Sequence, residues 1–122
     1  MLEKVGGYFE TNINEIASEI TGQMGKPISE ALEEVEATVA RIKTLSGFAE
    51  SELREEIIEE SETSLKKFRK EPVGVVLSIL PWNYPILVPS SSIIPAFLCG
   101  NGILIKHSPV TPLCSRHFIK AF

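Results

Sequence analysis

Two short segments of this sequence carry the residues best suited to chemistry on a carbonyl compound. Residues 80–85 read Leu-Pro-Trp-Asn-Tyr-Pro, and residues 106–109 read Lys-His-Ser-Pro. The Asn83 amide donates a hydrogen bond without titrating, which suits an oxyanion formed when a nucleophile adds to a carbonyl. One such donor contributes roughly 3 kcal/mol. Lys106, the only Lys, Arg or Glu between Glu71 and Arg116, can contact ribose hydroxyls or phosphate.

Each of these residues also has a purely structural interpretation. Asparagine often closes a turn with its side chain, which alone would explain Asn83. Trp82 is the sole tryptophan and belongs to a residue type that commonly packs in a core. A lysine such as Lys106 can lie on the surface with its aliphatic stem covered and its ammonium group solvated.

Both segments follow apolar, β-branched runs that are typical of buried strands. The run 73–79 precedes the first segment, and the run 103–105 precedes the second. A helix from about residue 87 to Cys99 should connect them, with Gly100 ending it in the left-handed conformation. Because open α/β sheets bind ligands at the carboxyl ends of adjacent parallel strands, the two segments are expected at one site.

Residues 72–122 therefore predict an α/β fold, namely the first β-α-β-α unit of a parallel, doubly wound sheet. The second strand is expected at 102–106, and Thr111 with Pro112 indicates the start of a last helix that extends to Phe122. A parallel sheet needs more than two strands and cover on both faces. The unit is thus expected to be incomplete and the chain to be the front part of something longer.

Residues 1–49 predict amphipathic helices. Apolar residues recur at helical spacing within residues 3–24, and Gly25 is well placed to end that helix. A second helix should start at Pro27 and end near Ser46-Gly47. Residues 50–71 fit either a helix or a charged two-stranded ribbon, and periodicity does not decide between them.

Charge and apolar runs argue against two classes of function. All 16 acidic residues are glutamates within residues 1–71, which carry a net charge of −7, whereas residues 72–122 carry +3. The overall net charge of −4 offers no basic surface for nucleic acid. Residues 73–105 contain no charge, but four prolines interrupt them, so a membrane-spanning helix is not expected.

The cysteines and histidines show no metal-ligand spacing. Cys99 and Cys114 do not require a disulfide and are interpreted as structural and reduced, in a cytoplasmic protein. Cys114 would lie in the first turn of the last helix, where the pKa of a thiol can fall.

His107 and His117 have no carboxylate near them in sequence and are expected to be packing or surface residues. No Gly-x-Gly-x-x-Gly phosphate loop occurs.

Three segments, taken in order, resemble the aldehyde dehydrogenase superfamily. Residues 19–35 resemble its Gly-Lys-Pro helix junction, in which Glu-Ala and Glu-Val pairs follow the lysine. Residues 72–85 resemble its strand and loop, Pro-x-Gly-Val-Val followed by Pro-Trp-Asn-Tyr-Pro, which is a highly specific motif. Residues 95–106 resemble its Pro-Ala, Gly-Asn and Lys motif. The resemblance spans about residues 10–122.

This resemblance implies a role for each segment. Asn83 would be the catalytic side-chain donor to the thiohemiacetal oxyanion, and Lys106 would contact the adenosine ribose. The nicotinamide-ribose side of the cofactor would be lined by Leu80, Pro81, Trp82 and Asn83.

The residues after Lys106 depart from the family pattern. The family commonly has Lys-Pro-Ser-Glu, whose glutamate binds ribose hydroxyls, whereas this chain continues with His107, Ser108 and Pro109. The Lys-His-x-Pro form is similar to the succinate-semialdehyde-dehydrogenase-like branch. Loss of the carboxylate removes repulsion against a 2′-phosphate. The resemblance therefore implies NAD or NADP as the cofactor, with Lys106, Ser108 and Pro109 on its adenosine side.

The whole-protein function implied by the resemblance is that of a homo-oligomeric, NAD(P)-dependent aldehyde dehydrogenase. Such an enzyme oxidises an aldehyde to a carboxylic acid, and residues 50–71 would correspond to its oligomerisation strands, which favours the ribbon. The family's nucleophilic cysteine and general-base glutamate lie downstream of Asn83 and are not identifiable here. The chain alone is therefore expected not to turn over. The alternatives are a non-catalytic module that pairs with intact dehydrogenase subunits and a membrane-associated segment through residues 73–105.

Overall fold

Three helices form the amino-terminal part of the molecule. The computed structural model describes residues 1–122, with α1 at Leu2–Thr11, α2 at Ile13–Met24 and α3 at Ile28–Leu53. Their apolar faces share one core with the helices that follow in the chain. The left-handed Gly25, at φ 79°, ends α2 as the sequence predicts.

The single helix predicted over residues 3–24 is two helices that meet at Asn12. The Asn12 side-chain amide donates to the Tyr8 carbonyl over 2.7 Å, and the Asn12 backbone N–H donates to the same oxygen over 3.1 Å. Asparagine competes well for backbone groups at helix ends, and these bonds satisfy a carbonyl of the last turn of α1.

The predicted end of α3 near Ser46-Gly47 is wrong, because the helix continues to Leu53. The Ser46 hydroxyl donates to the Ile42 carbonyl over 2.7 Å, a bond that the helix interior accommodates. Glycine inside a helix costs only about 1 kcal/mol relative to alanine, which the surrounding turns of α3 offset.

An exposed two-stranded ribbon follows α3. Strands β1 at Glu56–Glu60 and β2 at Leu65–Phe68 pair antiparallel, with an irregularity in register between Ile57 and Glu59. Every residue of both strands is exposed. Residues 50–71 thus contain the end of a helix and then the ribbon that the family resemblance favours.

The remaining residues form a parallel β-α-β-α unit, which confirms the predicted α/β fold. Strand β3 at Val75–Ile79 pairs in parallel with β4 at Gly102–Lys106, and α4 at Leu87–Leu98 connects them. Helices α4 and α5, the latter at Ser115–Ala121, lie on the face of the sheet to which Ile103 and Ile105 point. The opposite face exposes four large apolar side chains, those of Val75, Leu77, Ile79 and Leu104.

The last helix begins differently from the prediction. Pro112–Cys114 form a 3₁₀ turn before α5, so Pro112 does open the helical segment. Thr111 occupies the N-cap position, but its hydroxyl makes no capping hydrogen bond and is buried without a partner. The Thr111 backbone N–H instead donates to the Ser108 carbonyl over 3.2 Å.

A cluster of polar side chains attaches α5 to the first two helices. Glu19 on α2 accepts hydrogen bonds from Arg116 over 2.6 Å and contacts the buried His117 ring at 2.5 Å. The other ring nitrogen of His117 lies 3.0 Å from the Tyr8 hydroxyl. His117 is therefore a packing residue, as predicted, but it has a carboxylate partner that lies 98 positions away in sequence.

The same cluster sets the ionisation of Glu19. Burial alone would raise the pKa of this carboxyl, but the hydrogen bonds and positive charge of Arg116 and His117 lower it below its ordinary value of 4.5. Ionised Glu19 therefore stabilises the fold at neutral pH, and this stabilisation is lost as the pH falls below 4.5 through the lowered pKa.

We expect Glu19→Gln to lower the free energy of unfolding at pH 7 by about 1.5–3 kcal/mol, the usual contribution of a charged hydrogen bond. The difference from the wild type should shrink as the pH falls from 5 to 3, because the wild-type carboxylate then becomes protonated. Urea denaturation across this pH range measures both effects. Glu15→Gln is the control, since this exposed carboxylate lies 3.9 Å from Lys120. An equal effect of both substitutions would contradict the assignment.

Candidate functional site

The two polar segments singled out in the sequence meet at one edge of the sheet. The register places Ile79, the last residue of β3, opposite Lys106, the last residue of β4. The Leu80 N–H then donates to the Lys106 carbonyl over 3.1 Å. The predicted juxtaposition of the two segments at the carboxyl ends of adjacent parallel strands is thus confirmed.

The first segment presents its aromatic and amide side chains to solvent. Leu80 is 7% exposed and anchors the loop, whereas Trp82 is 50% exposed and does not pack in the core. Asn83 is exposed, and none of the hydrogen bonds of the chain involves its side chain. The turn at residues 82–84 is therefore not closed by the Asn83 amide. Pro81 is half-buried beside it.

The second segment combines a free cation with a tight turn. Lys106 is exposed and takes part in no ion pair. Ser108 is 7% exposed, and its hydroxyl oxygen accepts a hydrogen bond from the Val110 N–H over 3.2 Å. Pro109, between them, is exposed. Ser108 thus holds the turn that follows Lys106.

His107 lies between these residues as a half-buried ring. Both of its ring nitrogens are buried without a hydrogen-bond partner, and burial lowers the pKa of the imidazole. The ring is therefore neutral at pH 7 and leaves one donor and one acceptor unused beside Lys106.

Sequence reasoning missed a buried ion pair that supports the first segment. The Lys26 ammonium lies 2.5 Å from the Glu34 carboxylate, and their side chains are 6% and 0% exposed. The other carboxylate oxygen accepts from the Ile86 and Leu87 N–H groups over 2.9 and 3.1 Å. The first turn of α4 contains no acidic residue, so a glutamate from α3 caps it.

Two signals in the sequence point to this pair. Lys26 lies in the Gly-Lys-Pro motif between two helices, where a lysine has no obvious surface role. Glu34 lies three positions after Ala31 and four before Thr38, within the buried stripe of α3. A glutamate at helical spacing from buried residues requires a partner when it is ionised.

The two cysteines differ strongly in their surroundings. Cys99 is exposed after α4, whereas Cys114 is buried. Burial, with the nearby charges of Glu19 and Glu34, raises the pKa of the Cys114 thiol to about 12. A position at a helix start can lower the pKa of a thiol, but at Cys114 burial outweighs that effect.

The structure contains neither a grouping of three or more side chains suited to a metal ion nor a helix with the length and apolar character of a membrane span.

Comparison with known proteins identifies the family. The model of the aldehyde dehydrogenase family matches residues 1–122, the whole of this chain. The chain belongs to the aldehyde dehydrogenase family. Among curated members, it is 30% identical over 122 residues to the NAD(P)+ succinate semialdehyde dehydrogenase Sad of Escherichia coli, covering 99% of this chain and 26% of Sad.

Other family members show the same partial coverage. The D-glyceraldehyde dehydrogenase (NADP+) of Thermoplasma acidophilum is 32% identical over 114 residues, covering 93% of this chain and 23% of that protein. The chain thus spans about a quarter of the length of the curated relatives that it matches.

Solved structures of the family share the fold of this chain. Succinic semialdehyde dehydrogenase from Streptococcus pyogenes, in complex with NADP+, superposes with a TM-score of 0.89 at 25% identity, over 98% of this chain and 26% of that chain. Glyceraldehyde-3-phosphate dehydrogenase GapN from Methanocaldococcus jannaschii, complexed with NADP, gives a TM-score of 0.88 at 31% identity, with the same coverage.

We expect iodoacetamide to alkylate Cys99 and to leave Cys114 unmodified in the native protein at pH 7.5. Cys114 is buried and its thiol has a pKa of about 12, so hardly any nucleophilic thiolate forms. Mass spectrometry of tryptic peptides measures both sites, and labelling in 8 M urea serves as the control in which both must react. Native labelling of Cys114 at the rate of Cys99 would contradict the assignment.

Proposed function

We propose that residues 1–122 supply the cofactor side of an NAD(P)-dependent aldehyde dehydrogenase, which oxidises an aldehyde to a carboxylic acid. The observation that carries this proposal is the junction of the Pro81–Pro85 loop and Lys106, held by the bond from the Leu80 N–H to the Lys106 carbonyl. The junction brings a neutral amide donor and a free ammonium group to the ligand-binding edge of a parallel sheet.

In this proposal, Asn83 stabilises the negative charge that develops on the aldehyde oxygen. Its amide is exposed and has no partner within the chain, so it can donate to an oxygen of the substrate. A neutral donor does this across the pH range in which a thiolate attacks, and its loss typically costs 10²–10³-fold in kcat, or about 2.7–4 kcal/mol.

The residues at the sheet edge fit a dinucleotide with ribose and phosphate groups. Lys106 supplies a positive charge, and residues 72–122 contain no acidic side chain. Pro109 adds no negative charge near a 2′-phosphate. The matched D-glyceraldehyde dehydrogenase of Thermoplasma acidophilum is an NADP+ enzyme, and the matched Streptococcus pyogenes structure is a complex with NADP+. Leu80, Pro81 and Trp82 would lie along the nicotinamide ribose. A bound nicotinamide would supply the hydride acceptor that oxidation of the aldehyde requires.

The nucleophile belongs, in this proposal, to residues other than 1–122. Cys114 is buried with a pKa of about 12, and Cys99 lies at the end of α4 close to the Pro72 side of the sheet, at the amino-terminal ends of the strands. Neither thiol is suited to attack an aldehyde held by Asn83.

A chimera tests the role of Asn83. Residues 1–122 replace the matching 26% of Escherichia coli Sad, whose remaining residues complete the enzyme. We expect NAD(P)H formation from succinate semialdehyde, and a decrease of roughly 10²–10³-fold in kcat for Asn83→Ala because the oxyanion loses a donor. The KM for the aldehyde should change little.

Two controls accompany this experiment. Asn14→Ala removes an exposed amide from α2 and should leave kcat unchanged. The isolated 122-residue chain should form no NAD(P)H under the same conditions. Unchanged kcat for Asn83→Ala in an active chimera, or turnover by the isolated chain, would contradict the proposal.

A second proposal concerns the ribbon, which we propose pairs with another subunit. Its strands expose four large apolar side chains at 54–67% of their surface, namely Ile57, Ile58, Leu65 and Phe68. A two-stranded ribbon also leaves backbone groups on its outer edges free to pair with another chain. The same surface would serve a homo-oligomeric enzyme or a non-catalytic module that joins intact dehydrogenase subunits.

We expect the 122-residue chain to self-associate in sedimentation velocity over a concentration series, and Ile58→Lys/Phe68→Lys to be monomeric, because the added charges oppose burial of the ribbon. Ile28→Lys/Val73→Lys is the matched control, since it adds two charges at exposed apolar positions outside the ribbon. Equal association of all three proteins, or none in the wild type, would contradict a role of the ribbon in pairing.

A further inference from the structure

We propose that Lys26 and Glu34 are positioning residues that hold the Pro81–Pro85 loop in the conformation that presents the Asn83 amide. This inference rests on the proposed function of Asn83 as the oxyanion donor. Neither residue is exposed to a ligand at the sheet edge, since their side chains are 6% and 0% exposed. Glu34 contacts the residues that follow the loop, whereas Lys26 contacts Tyr84 within it.

Glu34 fixes the end of the loop that enters α4. One carboxylate oxygen accepts from the Ile86 and Leu87 N–H groups over 2.9 and 3.1 Å. The Tyr84 carbonyl accepts from the Val88 N–H over 3.2 Å, so the backbone immediately after Asn83 is hydrogen-bonded to the first turn of α4. Fixing the start of α4 therefore fixes the peptide that carries the amide.

Lys26 acts on the loop from the side. Its ammonium nitrogen lies 3.8 Å from the centroid of the Tyr84 ring, while it also contacts the second oxygen of Glu34. A cation over an aromatic face attracts the ring at a defined distance and orientation. The same ammonium group thus ties the residue next to Asn83 to the carboxylate that caps α4.

The energetics of the pair favour positioning over simple stabilisation. Desolvation of two charges largely cancels their attraction, so a buried ion pair gives little net stability over apolar side chains of similar volume. Apolar side chains, however, cannot accept hydrogen bonds from the Ile86 and Leu87 N–H groups, and they make no cation–π contact with the Tyr84 ring. The exposed pair of Lys43 and Glu10 has the same 2.5 Å separation and touches no part of the loop, which makes it a matched control.

Hydrogen exchange and fluorescence test this inference on the 122-residue chain. Trp82 is the only tryptophan and directly precedes Asn83, so its fluorescence reports on the loop alone. In Glu34→Gln, the Ile86 and Leu87 amides should exchange about tenfold faster or more, as expected for loss of a charged hydrogen bond. Acrylamide should also quench Trp82 more strongly in Glu34→Gln and in Lys26→Met than in the wild type.

Lys43→Met and Glu10→Gln should leave exchange at Ile86 and Leu87 and the quenching of Trp82 unchanged. Wild-type exchange and quenching in Glu34→Gln and Lys26→Met variants that keep the far-ultraviolet circular dichroism of the wild type would overturn the inference.

Tyr84 offers a second test if substitution of the buried pair prevents folding. Tyr84→Leu removes the ring but leaves the carboxylate cap, so Trp82 quenching should rise while exchange at Ile86 and Leu87 stays at the wild-type rate. Tyr84→Phe retains the ring and should behave like the wild type. Equal quenching of Trp82 in the Leu and Phe variants would overturn the role of Lys26.

Kinetics in the Sad chimera separate this inference from the proposed function. If both are right, Lys26→Met lowers kcat with little change in the KM for the aldehyde, and Lys26→Arg, which retains the cation, restores much of it. If Asn83→Ala leaves kcat unchanged while the exchange and quenching effects persist, the proposed role of Asn83 fails and positioning of the loop stands. If Asn83→Ala lowers kcat while exchange and quenching are insensitive to the pair, positioning fails alone.

Discussion

The Glu34 carboxylate connects the helical part of this molecule to its α/β part, and the conformation at the sheet edge depends on that connection. The start of α4 has no side-chain cap of its own, and its Ile86 N–H is buried. A buried N–H without a partner costs about 1–3 kcal/mol, so this turn requires an acceptor from elsewhere in the fold. Glu34 supplies it from α3, and Lys26 balances the buried charge.

The parallel pairing of β3 and β4 provides the second constraint. Backbone hydrogen bonds fix the register, which brings Lys106 opposite Ile79 and places the two polar segments side by side. A shift of one residue would turn every side chain to the other face, and Ile103 and Ile105 would leave the core. The register is thus determined by packing under α4 and α5, far from the polar groups that it aligns.

Apolar surface is distributed very unevenly over this chain. One face of the parallel pair is covered by helices, while the other exposes Val75, Leu77, Ile79 and Leu104, and the ribbon exposes four more large apolar side chains. Sheets of this parallel kind normally have cover on both faces. The family members that match this chain are about four times as long.

The sequence alone determined the local structure wherever the signal depends on neighbouring residues. The apolar runs, the left-handed Gly100 and the Pro-Trp-Asn-Tyr-Pro motif predicted the β-α-β-α order and the edge at which Asn83 and Lys106 meet. Its errors were also local in origin. At Asn12 the side-chain amide competes with the helix for the Tyr8 carbonyl, and α3 tolerates the Ser46 hydroxyl bond and Gly47 in its interior.

Only the tertiary structure decided which charged side chains are partners. Glu34 accepts a hydrogen bond from the Ile86 N–H, which lies 52 positions away in sequence. Glu19 contacts His117, which lies 98 positions away. A buried charged side chain is stable only when an oppositely charged or hydrogen-bonding group from another element pairs with it. The local sequence pattern does not indicate which element supplies that group. The pKa of Cys114 has the same origin, because burial by residues distant in sequence, rather than its place near a helix start, raises it. The sequence therefore predicted where the candidate site lies, and packing determined what holds it there.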